Sequence, residues 1–217
     1  MSLDALVAPV RWVGAQRDVL AGGIGGLVDL RTLAGRAHLY AVGPLEGCGG
    51  EVSVFDGVAS IARVVDGRPV VATGFDHRAC FLVYSEVAAW REQPLEAAVA
   101  DGALVEEIAE RAAAAGLAAP FPFLVRGYAA HARLHILDKR DGQPHTPERH
   151  EAAKVRFTVT EEAVVVVGFY STAHRGIFTP ADADVHMHLK TADDRLSGHL
   201  ERIRLAPGAR LGFPAGE

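Results

Sequence analysis

Residues Val185-His186-Met187-His188-Leu189 alternate apolar and imidazole side chains, and Gly198-His199-Leu200 follows after a short polar interval. Alternation with a period of two is the pattern of a β-strand, and it projects His186 and His188 from one face. The interval Lys190-Thr191-Ala192-Asp193-Asp194-Arg195-Leu196-Ser197 is long enough for a reversal. A hairpin centred between Asp193 and Asp194 sets His199 directly opposite His188. Directly opposed side chains have Cβ atoms about 4.5–5.5 Å apart. That spacing lets imidazole nitrogens reach one cation at about 2.0–2.1 Å. Three histidines on one sheet face leave a coordination position free for water or substrate, as a catalytic zinc needs and a closed structural zinc does not. Zn2+ is therefore the expected cofactor, held by His186, His188 and His199, although three imidazoles also suit copper, nickel, cobalt and iron.

Upstream of this hairpin the C-terminal half reads as β-rich. Strands are expected at 123–127, 132–137, 155–160 and 163–169, with a charged loop from Asp138 to Ala152. In the N-terminal half the strands expected at 38–42, 51–55 and 59–65 are separated by Asp56-Gly57 and Asp66-Gly67, strong hairpin signals. The segment Phe81 to Tyr84 continues the β pattern. Two helices are expected, over Glu86 to Trp90 and over Ala103 to Ala115, with Asp101 as cap and Gly116 as stop. A short amphipathic helix is expected after Arg11, interrupted by Gly22-Gly23-Ile24-Gly25-Gly26, a loop with no following Lys-Ser/Thr to make it a phosphate site. The run Ala118-Ala119-Pro120-Phe121-Pro122 marks a boundary. The expected fold is thus α+β, with an N-terminal mixed sheet with helices over 1–119 and a C-terminal β-barrel-like lobe over 120–217.

With 217 residues, 49% of them hydrophobic, the chain can bury a substantial core. The net charge of −5 and the absence of a dense Lys/Arg stretch argue against nucleic acid as a partner. No segment approaches the roughly 20 apolar residues of a membrane span. Met1 to Leu30 lacks the apolar run of a signal peptide. A soluble cytoplasmic protein acting on a small molecule is expected. Cys48 and Cys80 are expected to be free thiols. Ten histidines are the compositional oddity, most of them from His131 onward. His145, His150 and His174 read as solvated loop histidines rather than a fourth ligand.

The sequence resembles the α-acetolactate decarboxylase family. The resemblance rests on His186-Met187-His188 followed by Gly198-His199, on Val166-Val167-Gly168-Phe169-Tyr170 leading into them, and on Gly50-Glu51-Val52 with Asp56-Gly57 near the N-terminus. Pro120-Phe121-Pro122-Phe123 and Val125-Arg126-Gly127 sit where the family has an aromatic-led strand. The resemblance implies a zinc-dependent carbon–carbon lyase that decarboxylates a small 2-hydroxy-3-keto acid such as 2-acetolactate to acetoin. It also implies a homodimer, for which Phe81 to Tyr84 offers a strand to pair.

By the same resemblance Glu51 is the candidate proton donor. The family's active-site arginine aligns nearest to His135, with Arg133 two residues earlier, and either would orient the substrate carboxylate. A threonine of the family falls near Pro44, and its C-terminal glutamate has no counterpart before the chain ends at Glu217. These departures keep two other readings open: a zinc-dependent hydrolase or isomerase on the same scaffold, and a non-catalytic metal-binding β module.

Overall fold

The computed structural model describes residues 9–215, so Glu217 lies outside the described residues. In chain order the first part comprises β1 (Arg11–Val13), α1 (Gln16–Leu20), β2 (Val28–Asp29), β3 (Leu39–Pro44), β4 (Glu51–Phe55), β5 (Val58–Val65), β6 (Arg68–Thr73), β7 (Arg78–Ala79) and β8 (Leu82–Glu86). Then come β9 (Trp90–Leu95), β10 (Val99–Ala100), α2 (Asp101–Ala114), β11 (Phe121–Leu137), α3 (Pro147–Ala152) and β12 (Lys154–Val159). The chain continues through β13 (Glu162–Tyr170), β14 (Val185–Thr191), β15 (Ser197–Leu205) and β16 (Ala209–Pro214). One large sheet runs β1-β8-β3-β4-β5-β6, a second runs β10-β15-β14-β13-β11-β16-β9 with β12 also on β11, and β2 and β7 form a small two-stranded sheet.

Asp56-Gly57 and Asp66-Gly67 form two-residue turns with positive φ at all four residues, and they join β4, β5 and β6 into the expected meander. The α+β class and the β-rich C-terminal half hold. The barrel does not close. β11 is one strand, not two, and it pairs with β13 over Phe121–Ala129 and with β15 over Ala129–His135. One edge of β11 carries β13 and then β12 in a single register, and the other carries β16 and then β15, so the sheet forks at β11 and keeps open edges at β9 and β10.

Several local expectations give way to long-range pairing. Glu86 to Trp90 is not helical: Glu86 ends β8 and Trp90 opens β9, which pairs with β16 from Trp90↔Pro214 to Leu95↔Ala209. A distant partner strand outweighs a weak local helix preference. Arg11 opens a strand rather than a helix, and α1 follows only at Gln16. Asp101 does not cap α2; Ala100 holds that position, and the Asp101 carboxylate accepts from Ile203 N–H at 3.0 Å, tying α2 to β15. Gly116 ends the helix in the left-handed region, as expected. The strand expected at Phe81 to Tyr84 is paired on both sides, by β1 and by β3, so it offers no free edge for a second copy. Among the described residues no helix is long and apolar enough to cross a membrane.

The metal hairpin lies where the two sheets meet. Phe121, Phe123, Leu189 and Leu205 pack in one core cluster, and Val42, Phe81, Val167 and Phe169 in another that spans the sheets. Burying each Phe contributes about 1.5–3 kcal/mol, so the hairpin is anchored on both flanks by apolar packing.

Candidate metal centre

β14 and β15 pair in the register expected from sequence, His188 opposite His199, Leu189 opposite Gly198 and Lys190 opposite Ser197. Met187 points away, and His186 and His188 share the inner face. Ring centroids lie 4.8 Å apart for His186 and His199, 5.2 Å for His186 and His188, and 5.4 Å for His188 and His199. One ring nitrogen from each converges so that all three lie within 4.8 Å of one another.

The proton positions follow from the partners. His186 Nδ1 is 3.0 Å from the Phe178 carbonyl, which can only accept, and 3.2 Å from Gln16 Nε2; the closer contact puts the proton on Nδ1 and leaves Nε2 bare. Nε2 then faces His199 Nδ1 at 3.1 Å. For His188, Nδ1 is 2.8 Å from Ser53 Oγ, while Nε2 is fully buried with no hydrogen-bond partner. A proton on Nε2 would be a buried unsatisfied donor, which costs about 1–3 kcal/mol. The proton therefore sits on Nδ1, donated to Ser53, whose hydroxyl also accepts from Ser197 Oγ at 3.1 Å. Outer partners that fix the imidazole tautomer in this way are the usual support of metal-binding histidines.

Burial keeps the rings neutral: His186 is pushed down to about 3, and His188 and His199 well below the ordinary imidazole range. An orphaned buried nitrogen and three neutral, converging imidazoles fit a divalent cation. Nitrogens bound tetrahedrally at about 2.0–2.1 Å lie about 3.3 Å apart, close to the spacing seen between His186 and His199.

A cavity of about 240 Å³ opens on His186 and His199 and is also lined by Glu51, His135, His150 and Lys154, with Phe81 stacked on His186 at 5.8 Å; His188 lies behind this lining, fully buried. That is smaller than a typical drug-sized site. Glu51 begins β4 in the opposite sheet, is 2% exposed, and places Oε2 3.8 Å from His188 Nε2. Burial raises its carboxyl well above the usual carboxylate range; a bound dication would oppose that shift.

His135 is the cross-strand neighbour of His199 on β11, and the two rings stack at 4.6 Å. Its Nδ1–H donates to Glu201 Oε1 at 3.1 Å, and burial lowers its basicity. Arg133 does not line the cavity. Its guanidinium is half exposed and donates to Glu201 Oε2 at 2.9 Å. Glu201, held down to about 2 by the His135 N–H and then by the Arg156 guanidinium, gathers all three groups. His145 is buried rather than solvated, and His150 lies in α3 rather than a loop. His174 stacks on Phe178 at 4.7 Å. Cys48 and Cys80 are free, buried thiols as expected.

Sequence reasoning missed Ser53, Phe178, Lys154 and Glu201. Ser53 and Glu201 had a local signal: each stands two residues after a site residue on one strand, Ser53 after Glu51 and Glu201 after His199.

These features define a two-sheet β-rich protein with a facial three-imidazole site at the sheet junction. Its fold is that of the solved α-acetolactate decarboxylases. The chain superposes on α-acetolactate decarboxylase from Bacillus subtilis strain 168 with a TM-score of 0.79 at 15% identity, covering 94% of this chain and 84% of that one. Acetolactate decarboxylase from Bacillus subtilis subspecies spizizenii gives 0.78 at 16% identity, over 96% of this chain and 86% of that one. A Staphylococcus aureus protein of unknown function, described as similar to α-acetolactate decarboxylase, gives 0.75 at 16% identity over the same shares. No protein-family model and no curated protein matches the sequence.

Proposed function

We propose that this chain is a divergent zinc-dependent carbon–carbon lyase of the α-acetolactate decarboxylase kind, removing carbon dioxide from a small 2-hydroxy-3-keto acid such as 2-acetolactate. The observation that carries this reading is the trio of neutral imidazoles, with the bare His188 Nε2, of which His186 and His199 line a small cavity together with a buried glutamate. His186, His188 and His199 would hold the zinc. Zinc supplies a Lewis acid that stabilises the negative charge developing on substrate oxygen as carbon dioxide departs.

The chain's own groups do the remaining work. Glu51, the buried carboxyl beside the trio, delivers a proton to the carbon that loses the carboxylate. Lys154, the cation lining the cavity, orients the substrate carboxylate, a task for which Arg133 is turned the wrong way. His135 spends its one N–H on Glu201, so its Nε2 accepts a hydrogen bond, which suits a substrate hydroxyl.

The test is carbon dioxide release from racemic 2-acetolactate by zinc-loaded protein. Release above the metal-free control supports the reading, and none defeats it. A hydrolase or isomerase on the same scaffold is favoured by one observation, that a neutral His135 stands where the family's arginine aligns. Turnover of esters, lactones or hydroxyketones without carbon dioxide release would select it.

A further inference from the structure

A second convergence of metal-binding side chains lies outside the trio. Cys48 ends the short turn at Glu46–Cys48 before β4, His145 belongs to the loop after β11, and His150 belongs to α3. Cys48 and His145 are buried, and His150 is half buried and lines the cavity. His145 Nε2 lies 3.9 Å from Cys48 Sγ and 3.1 Å from His150 Nδ1, and one donor atom from each residue falls within 4.8 Å of the others.

The local structure holds these groups in place. Lys139 N–H donates to the Cys48 carbonyl at 3.1 Å, fastening the loop to the turn. Thr146 caps α3 by accepting from Arg149 N–H, with Pro147 following, which fixes the separation of His145 and His150 across the cap.

We infer that Cys48 Sγ, His145 Nε2 and His150 Nδ1 form a second binding site for a zinc-class cation, independent of the proposed lyase reaction. A tetrahedral ion with Zn–S about 2.3 Å and Zn–N about 2.0–2.1 Å needs S···N about 3.5 Å and N···N about 3.3 Å. The two spacings made by His145, 3.9 Å to Cys48 Sγ and 3.1 Å to His150 Nδ1, are within a few tenths of an ångström of these values, and Cys48 Sγ and His150 Nδ1 fall within 4.8 Å of each other. No carboxylate belongs to the group, and one thiolate with two imidazoles is a donor set for zinc or copper rather than magnesium or calcium. The site binds more weakly than the trio. His145 Nδ1 is buried without a partner, so nothing orients that ring as Ser53 orients His188.

The two sites differ in one readable way, since only the second contains sulfur. Reduced, metal-free, full-length protein is titrated with Co2+ while bound cobalt and near-ultraviolet absorption are followed. The expected result is two ions per chain, the first without and the second with a thiolate-to-cobalt charge-transfer band. C48S and, as a half-exposed control on folding, H150Q should each lose that band and one ion. H188A should keep the band and lose the band-free ion. Saturation at one ion with no sulfur band, or a band that survives C48S, overturns the second site. Failure of the trio would appear instead as loss of the band-free equivalent in the wild type.

Discussion

His188 and His199 stand directly opposite each other on β14 and β15, and His199 in turn faces His135 on β11. The middle imidazole of this row is therefore positioned by the closeness of β15 to β11. Gly198 permits that closeness: a Cβ there would fall 2.6 Å from the His135 carbonyl oxygen. G198A must push the strands apart, with a cost of about 1–3 kcal/mol and weaker metal binding. Thermal unfolding and zinc titration check both, and an unchanged affinity would show that β15 need not sit so close.

Ser53 acts on the cation through His188. Losing the acceptor for His188 Nδ1–H should lower zinc affinity about 10–100-fold in S53A, while the fold, judged by circular dichroism, stays intact. Equal affinity in S53A and wild type would remove Ser53 from the account.

The metal-free protein should weaken in mild acid. Burial holds His186 at about 3 and His150 at about 4, against an ordinary value of 6.5. Between those values the unfolded chain binds protons that the folded chain refuses, so stability is full above about pH 6.5 and declines toward about pH 3. At about pH 5 the fully buried His186 alone costs about 2 kcal/mol. Urea midpoints of chelator-treated protein at about pH 7.5 and about pH 5 measure this; equal midpoints would contradict it.

Replacing Glu51 separates chemistry from metal binding. E51Q keeps the shape and removes the proton, so turnover of the proposed substrate should fall about 10²–10⁴-fold with zinc content unchanged. A variant as active as wild type would assign the proton to another group.

What the sequence made legible was local. The alternation around His186 and His188, the length of the following turn and the Asp-Gly pairs specify hairpins, because each is settled by neighbours along the chain. The register of β14 on β15 could be read for that reason. The pairing of β9 with β16 could not, because a segment rich in Ala and Glu next to Trp90 favours a helix by local preference alone. Ser53 comes from the other sheet and Lys154 from β12, and only long-range pairing brings them to the site, whereas Glu201 lies two residues after His199 on β15 itself. The burial of His145 is invisible in the sequence because burial of a loop depends on what packs over it.

The central claim is a cation held by three imidazoles with a coordination position left for a reactant. X-ray absorption of protein loaded with one zinc per chain tests it most directly. The account predicts three imidazole nitrogens at about 2.0–2.1 Å and one oxygen from solvent. A first shell containing sulfur, or one filled by four protein ligands, would contradict it.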